Sequence, residues 1–442
     1  MTALLTLLVL GVAGLPLALR LVGLRGELVP LAPLLGAGYL AAAATVEVGF
    51  GGPPLVDAVV ALALGAVLPV VVRGGRRHVL ASPARELAAL ALTGLTAAVL
   101  LVPALQRFEV GWDGRSIWFF RGRTLNGGHQ LYLDRAHQFE GLHSDYPPLV
   151  PSVLGFSWRF AGSIDYRAGQ LLLGCLTACA TVLVGMGVAR TVGKSWLAPA
   201  LGAVTVAACF GVWTFYASNG YVDPLSAALV LAAAVFGILV PGRTAVLWLP
   251  LAALAAMVKN EGFVFGGCVV AVVTCRLLLA RRPRSVRAAA TTLAAPAAAG
   301  ALMVSWQLVA KWQHLGTALS STGRDGTPAH RASIAWDALS GLMGLSGLGA
   351  VALVLAVLLA PRARLGRGLS FLVAGGLVTV TLVGIYAFGR FPIDYWLLGS
   401  LDRTSMTLRA GGLVAAAVAA GRAWQLLTGR PEPDLQDGRT VC

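Results

Sequence analysis

The sequence predicts an all-α, polytopic helical membrane protein, and three observations predict it. Of 442 residues, 57% are hydrophobic and only 12% are charged, which gives a mean hydropathy of +0.78. The apolar residues fall in continuous runs of about 20, the length a helix needs to cross a hydrocarbon core of ~30 Å, and they do not alternate with polar residues as in a transmembrane β-barrel. The 34 Lys and Arg residues, against 19 Asp and Glu, are scattered in short groups between the runs. The net charge of +15 therefore reads as a positive-inside topology rather than a nucleic-acid-binding surface.

Taken in order, the runs predict helices over 2–20, 29–46, 55–72, 85–105, 168–189, 197–216, 222–240, 244–258, 262–280, 287–309, 334–360, 369–389 and 404–421, about 13 by the length criterion. The first run lacks a basic start and a convincing cleavage site, and is read as a retained helix rather than a signal peptide. Residues 1–84 form a three-helix extension to the main membrane domain, 85–421. The tail, 422–442, is expected to be cytoplasmic and disordered, with PEPD near its centre. Cys175, Cys179, Cys209, Cys268 and Cys275 lie inside apolar runs, where they act as small hydrophobes. Cys175 and Cys179 share a helix face, but no His or carboxylate beside them completes a metal site. The glycines of 341–349 and the Gly411–Gly412 pair read as close-packing faces between membrane helices.

One apolar piece, Pro147–Ala161, opens with two prolines and carries Arg159, and whether it crosses decides the topology of everything after it. If it does not cross, Arg73, Arg76, Arg77, Arg85, Arg190, Lys194, Arg243, the cluster from Arg276 to Arg287, the group Arg362, Arg364 and Arg367, and the tail from Arg422 all fall on one side. That side is cytoplasmic. If it crosses, the cluster from Arg276 to Arg287 faces outward, against the rule. Residues 147–162 are therefore expected to form a helix at the outer surface, with proline tolerated in its first turn.

The chain is organised around the outer loop, 106–146, and the residues just after it. The stretch from Gly111 to Pro151 holds Asp113, Asp134, Glu140, Asp145, four arginines and three of the six histidines, and such a cluster belongs at the water interface. The same topology brings to this face the turn Ser218–Pro224, the turn Lys259–Gly262, the residues from Lys311 to Arg331 and those from Arg390 to Arg403. Asp113 and Asp223 then share a compartment with Lys259, Glu261 and Arg403.

The order of these features resembles the integral-membrane C-type glycosyltransferases (GT-C), in particular the branch of protein O-mannosyltransferases and lipid A aminoarabinose transferases. The matching elements are Trp112-Asp113 opening the first large outer loop, Tyr146-Pro147-Pro148-Leu149 opening a surface helix, Tyr221-Val222-Asp223-Pro224 in the next outer turn, Lys259 to Gly262 two helices on, and Ser400 with Arg403 late in the chain. The resemblance covers about 85–421. It implies a multi-pass protein of a bacterial cytoplasmic membrane, with its active site on the outer face, that moves a sugar from a polyprenyl-phosphate donor to a glycan, lipid or protein acceptor. Gly114 and Arg115 stand where many relatives place a second carboxylate. One carboxylate is a thin ligand set for a hard cation, so a divalent cation stays an open option and no cofactor is certain.

The implied chemistry assigns roles by residue type. Departure of the donor phosphate builds negative charge that Arg121, Arg123, Lys259 or Arg403 can stabilise near the membrane lipid. Asp113 is the expected proton acceptor, with Trp112 and Trp118 desolvating it. Asp223 orients the acceptor or an arginine, and His143 and Tyr146 lie near the donor. A single base favours direct displacement with inversion, by analogy with glycoside hydrolysis. Plain alternatives stand beside these roles: helix capping or pairing with Arg115 for Asp113, capping for Asp223, and lipid-phosphate contact for Lys259 and Arg403. His129, His137 and His143 match no zinc spacing. A transporter or flippase is the other class that joins many helices to a few charges, but it usually places them at mid-membrane in broken helices and repeats.

Overall fold

The structure, a computed structural model, describes residues 1–52, 67, 83–106, 109–139, 143–192, 197–281, 285–316, 325–358, 365–389 and 391–428. The expected helix at 55–72 apart from residue 67, Arg73, Arg76, Arg77, Glu140, Lys194, Arg282, Arg284, the Ser320–Gly323 stretch, Arg362, Arg364, Arg390 and the tail from 429 lie outside these residues. The described residues are helical, with no strand among them. Among the described residues, ten helices are long and apolar enough to cross a membrane, and two shorter apolar ones, Asp223–Leu239 and Thr244–Val258, accompany them.

The helices are α1 (Thr2–Val22), α2 (Leu28–Phe50), α3 (Pro83–Gln106), α4 (Phe120–Asn126), α5 (His129–Gln138), α6 (Leu149–Ala161), α7 (Tyr166–Val192), α8 (Leu197–Ser218), α9 (Asp223–Ala234), α10 (Trp248–Val258), α11 (Asn260–Arg281), α12 (Val286–Trp312), α13 (Pro328–Leu358), α14 (Leu365–Phe388) and α15 (Met406–Leu427). A π-helical segment, Gly114–Phe119, leads into α4, and short helical turns over 393–404 lead into α15. One apolar core runs from α1 to α15. Helix α2 belongs to it fully, burying Leu31, Tyr39, Leu40 and Val48 against α6, α7 and α12.

Small residues set the closest crossings, as expected for helices packed without a hydrophobic driving force between them. A Cβ at Gly412 would lie 2.1 Å from the Ser346 carbonyl oxygen, and one at Gly349 the same distance from that of Gly412, so α13 and α15 touch backbone to backbone. Gly14 and Gly36 do the same for α1 and α2. Gly344, with φ 38° and ψ −123°, kinks α13 in a conformation that a side chain would oppose.

Ion pairs fix the direction of the helices. Arg190 near the end of α7 binds buried Glu27 before α2, with Nη2 2.7 Å from Oε2, and Glu86 at the start of α3 at 3.3 Å. The C-terminus of α3 and the N-terminus of α7 therefore lie together at the opposite end, and the chain between them begins and ends there. Arg276 joins the Arg190 end by donating to Ile238 O at 2.5 Å. Helix α6 matches the expected bounds, and its 13 residues span about 20 Å, short of a ~30 Å core. It is buried along most of its length between α4 and α2, because Gly122 and Gly155 allow close approach. Reporters fused after Ala280 and within 125–140 are expected to report opposite sides of the membrane, the first cytoplasmic. Both reporting one side would overturn this arrangement.

Candidate active site

The stretch from Gly111 is folded rather than open. Ile117, Trp118, Phe119, Leu125 and Tyr132 turn inward, and Arg159 of α6 caps the carbonyls of Leu125 and Asn126 at the end of α4, at 2.9 and 3.3 Å. Its entry docks on the turn before α9: Gly111 N–H donates to Asn219 O at 2.8 Å, and a Cβ at Gly111 would lie 2.3 Å from the Tyr221 ring. Gly220, at φ 83°, makes the tight turn between the two. These contacts bring Asp113 beside Asp223.

Arg403 joins them. Its guanidinium bonds the Asp113 carboxylate, lies 3.7 Å from Asp223 Oδ2 and covers the Tyr221 ring at 4.8 Å. Lys259 approaches from the other side, with Nζ 2.8 Å from Asp223 Oδ1 and 3.0 Å from Glu261 Oε1. Lys259 sits in extended backbone between α10 and α11, and Gly262 allows this junction because a Cβ there would meet Ala255 O at 2.1 Å. The result is an alternating chain, Asp113, Arg403, Asp223, Lys259, Glu261, assembled from four separate parts of the sequence. Against burial, which disfavours charge, Asp223 and Glu261 hold the Lys259 ammonium well above its ordinary value.

Arg403 is itself held. Tyr386 Oη bonds Ser400 Oγ at 2.8 Å and Thr404 Oγ1 at 2.9 Å. Fully buried Arg331 donates to Tyr386 O at 2.8 Å and Phe391 O at 2.8 Å, and pairs with Asp325, which accepts the Ile393 N–H at 3.0 Å. The S-x-x-R element thus docks Ser400 on α14 and turns Arg403 toward the carboxylates.

Tyr146 forms the apolar wall. Its ring stacks on Trp118 at 5.3 Å and on His143 at 4.6 Å, and lies 5.7 Å from Lys259 Nζ. Burial, followed by Lys259, Arg121 and Arg403, pushes His143 down to about 4, so it is neutral at pH 7. Because that value lies below its ordinary 6.5, His143 makes the fold lose stability as pH falls from about 6.5 to 4. Burial also pushes the Tyr146 hydroxyl well above its ordinary value.

The remaining expected residues are placed differently. Arg121 is 4% exposed and bonds Tyr132 Oη and the carbonyls of Ser144 and Tyr146, so it clamps the turn before α6 instead of joining the ion chain. Arg123 is exposed and stands outside the ion chain. Trp112 is 64% exposed and does not shield Asp113, whereas Trp118 is buried against Tyr146. Asp113 precedes the π-helical segment without capping it, and Arg115 turns to Val110 O instead. His129 N–H donates to buried Glu47 at 3.1 Å, while His137 is exposed.

Among the described residues no group of three or more His, Cys, Asp or Glu side chains could hold a metal ion. Each of the three carboxylates of the ion chain is already paired with Lys259 or Arg403, so the donor set does not fit a divalent cation. No protein-family model, curated protein or solved structure matches the chain. The site geometry and the motif order therefore carry the functional reading.

Sequence reasoning missed Asp145 as a site residue. Its Oδ2 accepts from Asn260 Nδ2 at 2.7 Å, Asn260 Oδ1 accepts from Gln307 at 2.9 Å, and Trp306 Nε1 donates to Asp145 O at 2.7 Å. The only signal was its place between His143 and Tyr146.

Proposed function

We propose that this chain is a membrane glycosyltransferase that moves a sugar from a polyprenyl-phosphate donor to an acceptor hydroxyl at the outer face of the membrane. The observation that carries the reading is the pairing of two shielded cations, Arg403 and Lys259, with an apolar cavity beneath them. The cavity, about 190 Å³, lies among α9, α11, α13, α14 and α15, and Leu231, Val269, Phe371, Leu372, Thr407 and Leu408 line it. Leu231 is eight residues beyond Asp223 and Thr407 four beyond Arg403, roughly 12 and 6 Å along their helices. A phosphate at the ion chain with a hydrocarbon tail in the cavity suits this layout better than a soluble nucleotide.

With no donor, Asp113, Asp223 and Glu261 neutralise the two cations, which avoids leaving charge buried and unpaired. A donor phosphate competes for Arg403, whose planar fork matches phosphate oxygens, and for Lys259. Both then face the charge that grows as the phosphate leaves. A single displacement at the anomeric carbon inverts its configuration, by analogy with glycoside hydrolysis.

A transporter or flippase is the second reading, and the buried, shorter helices Asp223–Leu239 and Thr244–Val258 are what favours it. The charges at their tips gather at one end of the bundle rather than halfway along it, which favours the enzyme. Native mass spectrometry of the purified protein, offered polyprenyl-phosphate mannose beside a nucleotide sugar, tests the donor. Selective retention of the polyprenyl species is expected, weakened in Lys259→Met by about 1.5–3 kcal/mol for a lost charge-assisted contact. Retention of the nucleotide sugar, or of neither, overturns the reading.

A further inference from the structure

Four carboxylates meet at the polar end, and they are not equivalent. Asp113, Asp223 and Glu261 each pair with Arg403 or Lys259. Asp145 forms no ion pair among the described residues. Asn260 holds one of its oxygens at 2.7 Å, and the other, Oδ1, is buried with no hydrogen-bond partner. The groups facing it are Arg121 from α4, Tyr132 from α5, Glu261 from α11 and its neighbours His143 and Tyr146, with Lys259 beyond the Tyr146 ring. Burial pushes the Asp145 carboxyl up, and the charge of Arg121 and the Asn260 hydrogen bond offset only part of this.

A proton acceptor needs a free lone pair and a basicity close to working pH. A carboxylate locked to a guanidinium has neither, because the opposite charge favours its ionised form and occupies its oxygens. We propose that Asp145, rather than Asp113, takes the proton from the acceptor hydroxyl, while Asp113 holds Arg403 in place. The step rests on the sugar-transfer reading. As the acceptor oxygen bonds the anomeric carbon, its proton passes to Asp145 Oδ1. The bond from that carbon to the phosphate oxygen breaks, and its electron pair leaves on the phosphate, facing Arg403 and Lys259. Water then carries the proton from Asp145 to bulk.

The burial of Asp145 also has a consequence for stability. A carboxyl raised above its ordinary 3.8 binds protons more tightly when folded, so its ionised form costs stability at neutral pH, and the cost vanishes only below about 3.8. Asp145→Asn removes that charge, and its amide oxygen can still accept from Asn260. The full-length variant is expected to melt at a higher temperature than wild type at pH 7. It is also expected to release polyprenyl phosphate from polyprenyl-phosphate mannose or glucose, with water as acceptor, roughly 10²–10⁴-fold more slowly, and to lose the acid limb of the kcat/KM profile. Unchanged turnover or a retained acid limb would each overturn the proposal. Wild type that neither binds nor cleaves the polyprenyl probes sinks the transfer reading itself, whereas active wild type with an equally active Asp145→Asn variant sinks only the assignment of the base.

Discussion

Methionine in place of Lys259 is expected to destabilise the protein by about 3–5 kcal/mol, the usual cost of leaving one member of a buried ion pair uncompensated. Lys259 and Asp223 are 6% and 5% exposed. Without the ammonium, Asp223 keeps among the described residues only Arg403, at 3.7 Å, as an ion-pair partner, and Glu261 loses the one it has there. Methionine preserves the length of the side chain, so lost packing contributes little. Lys259→Met with Asp223→Asn should recover part of the loss, since the orphaned charge goes too. Thermal unfolding in detergent measures both. The pH dependence follows from the sign of the shift: a lysine held above 10.5 contributes fully below that value and loses its contribution only in strong alkali. The deficit of the variant is therefore expected to hold through neutral pH and to shrink in acid, where the orphaned carboxylates take up protons. A single variant as stable as wild type would mean that the ion chain is not closed in solution.

Arg403→Ala is expected to lower kcat/KM for sugar transfer by roughly 10²–10³-fold, the range seen when a group stabilising developing charge is removed. Arg403→Lys, which keeps the charge but not the fork, should lie between. Asp113→Asn should be milder than either Arg403→Ala or Asp145→Asn, because it loosens Arg403 without removing it. A loss in Asp113→Asn as deep as in Asp145→Asn would return the base role to Asp113. The comparison is made on protein shown to be folded, because the alanine variant also leaves Asp113 and part of Asp223 without a counter-charge.

The helices were legible because bilayer-length apolar runs carry their own signal. Leu28–Phe50, Asp223–Leu239 and Asn260–Arg281 lie within a few residues of the expected 29–46, 222–240 and 262–280. The meeting of Asp113, Asp223, Lys259, Glu261 and Arg403 was legible too, because arginine placement fixes which helix ends lie together. What could not be read was the company each side chain keeps. Arg121 and Arg123 look alike in sequence, yet one is a buried clamp and the other is exposed. Trp112 was expected to shield Asp113, but the docking of Gly111 on Tyr221 leaves it in the open. Asp145 owes its isolation to Asn260 and Trp306, more than a hundred positions away. No local pattern encodes that packing.

The central claim is that this site cleaves a sugar from a phosphate anchored in the membrane. It is tested most directly by following labelled sugar in liposomes that contain the purified protein, with polyprenyl-phosphate mannose or glucose in one set and the matching nucleotide sugars in another. The account predicts that label leaves only the polyprenyl donor, that free polyprenyl phosphate appears in equal amount, and that Arg403→Ala stops both. Label leaving the nucleotide sugar, or intact polyprenyl donor moving between leaflets with no cleavage, would contradict it.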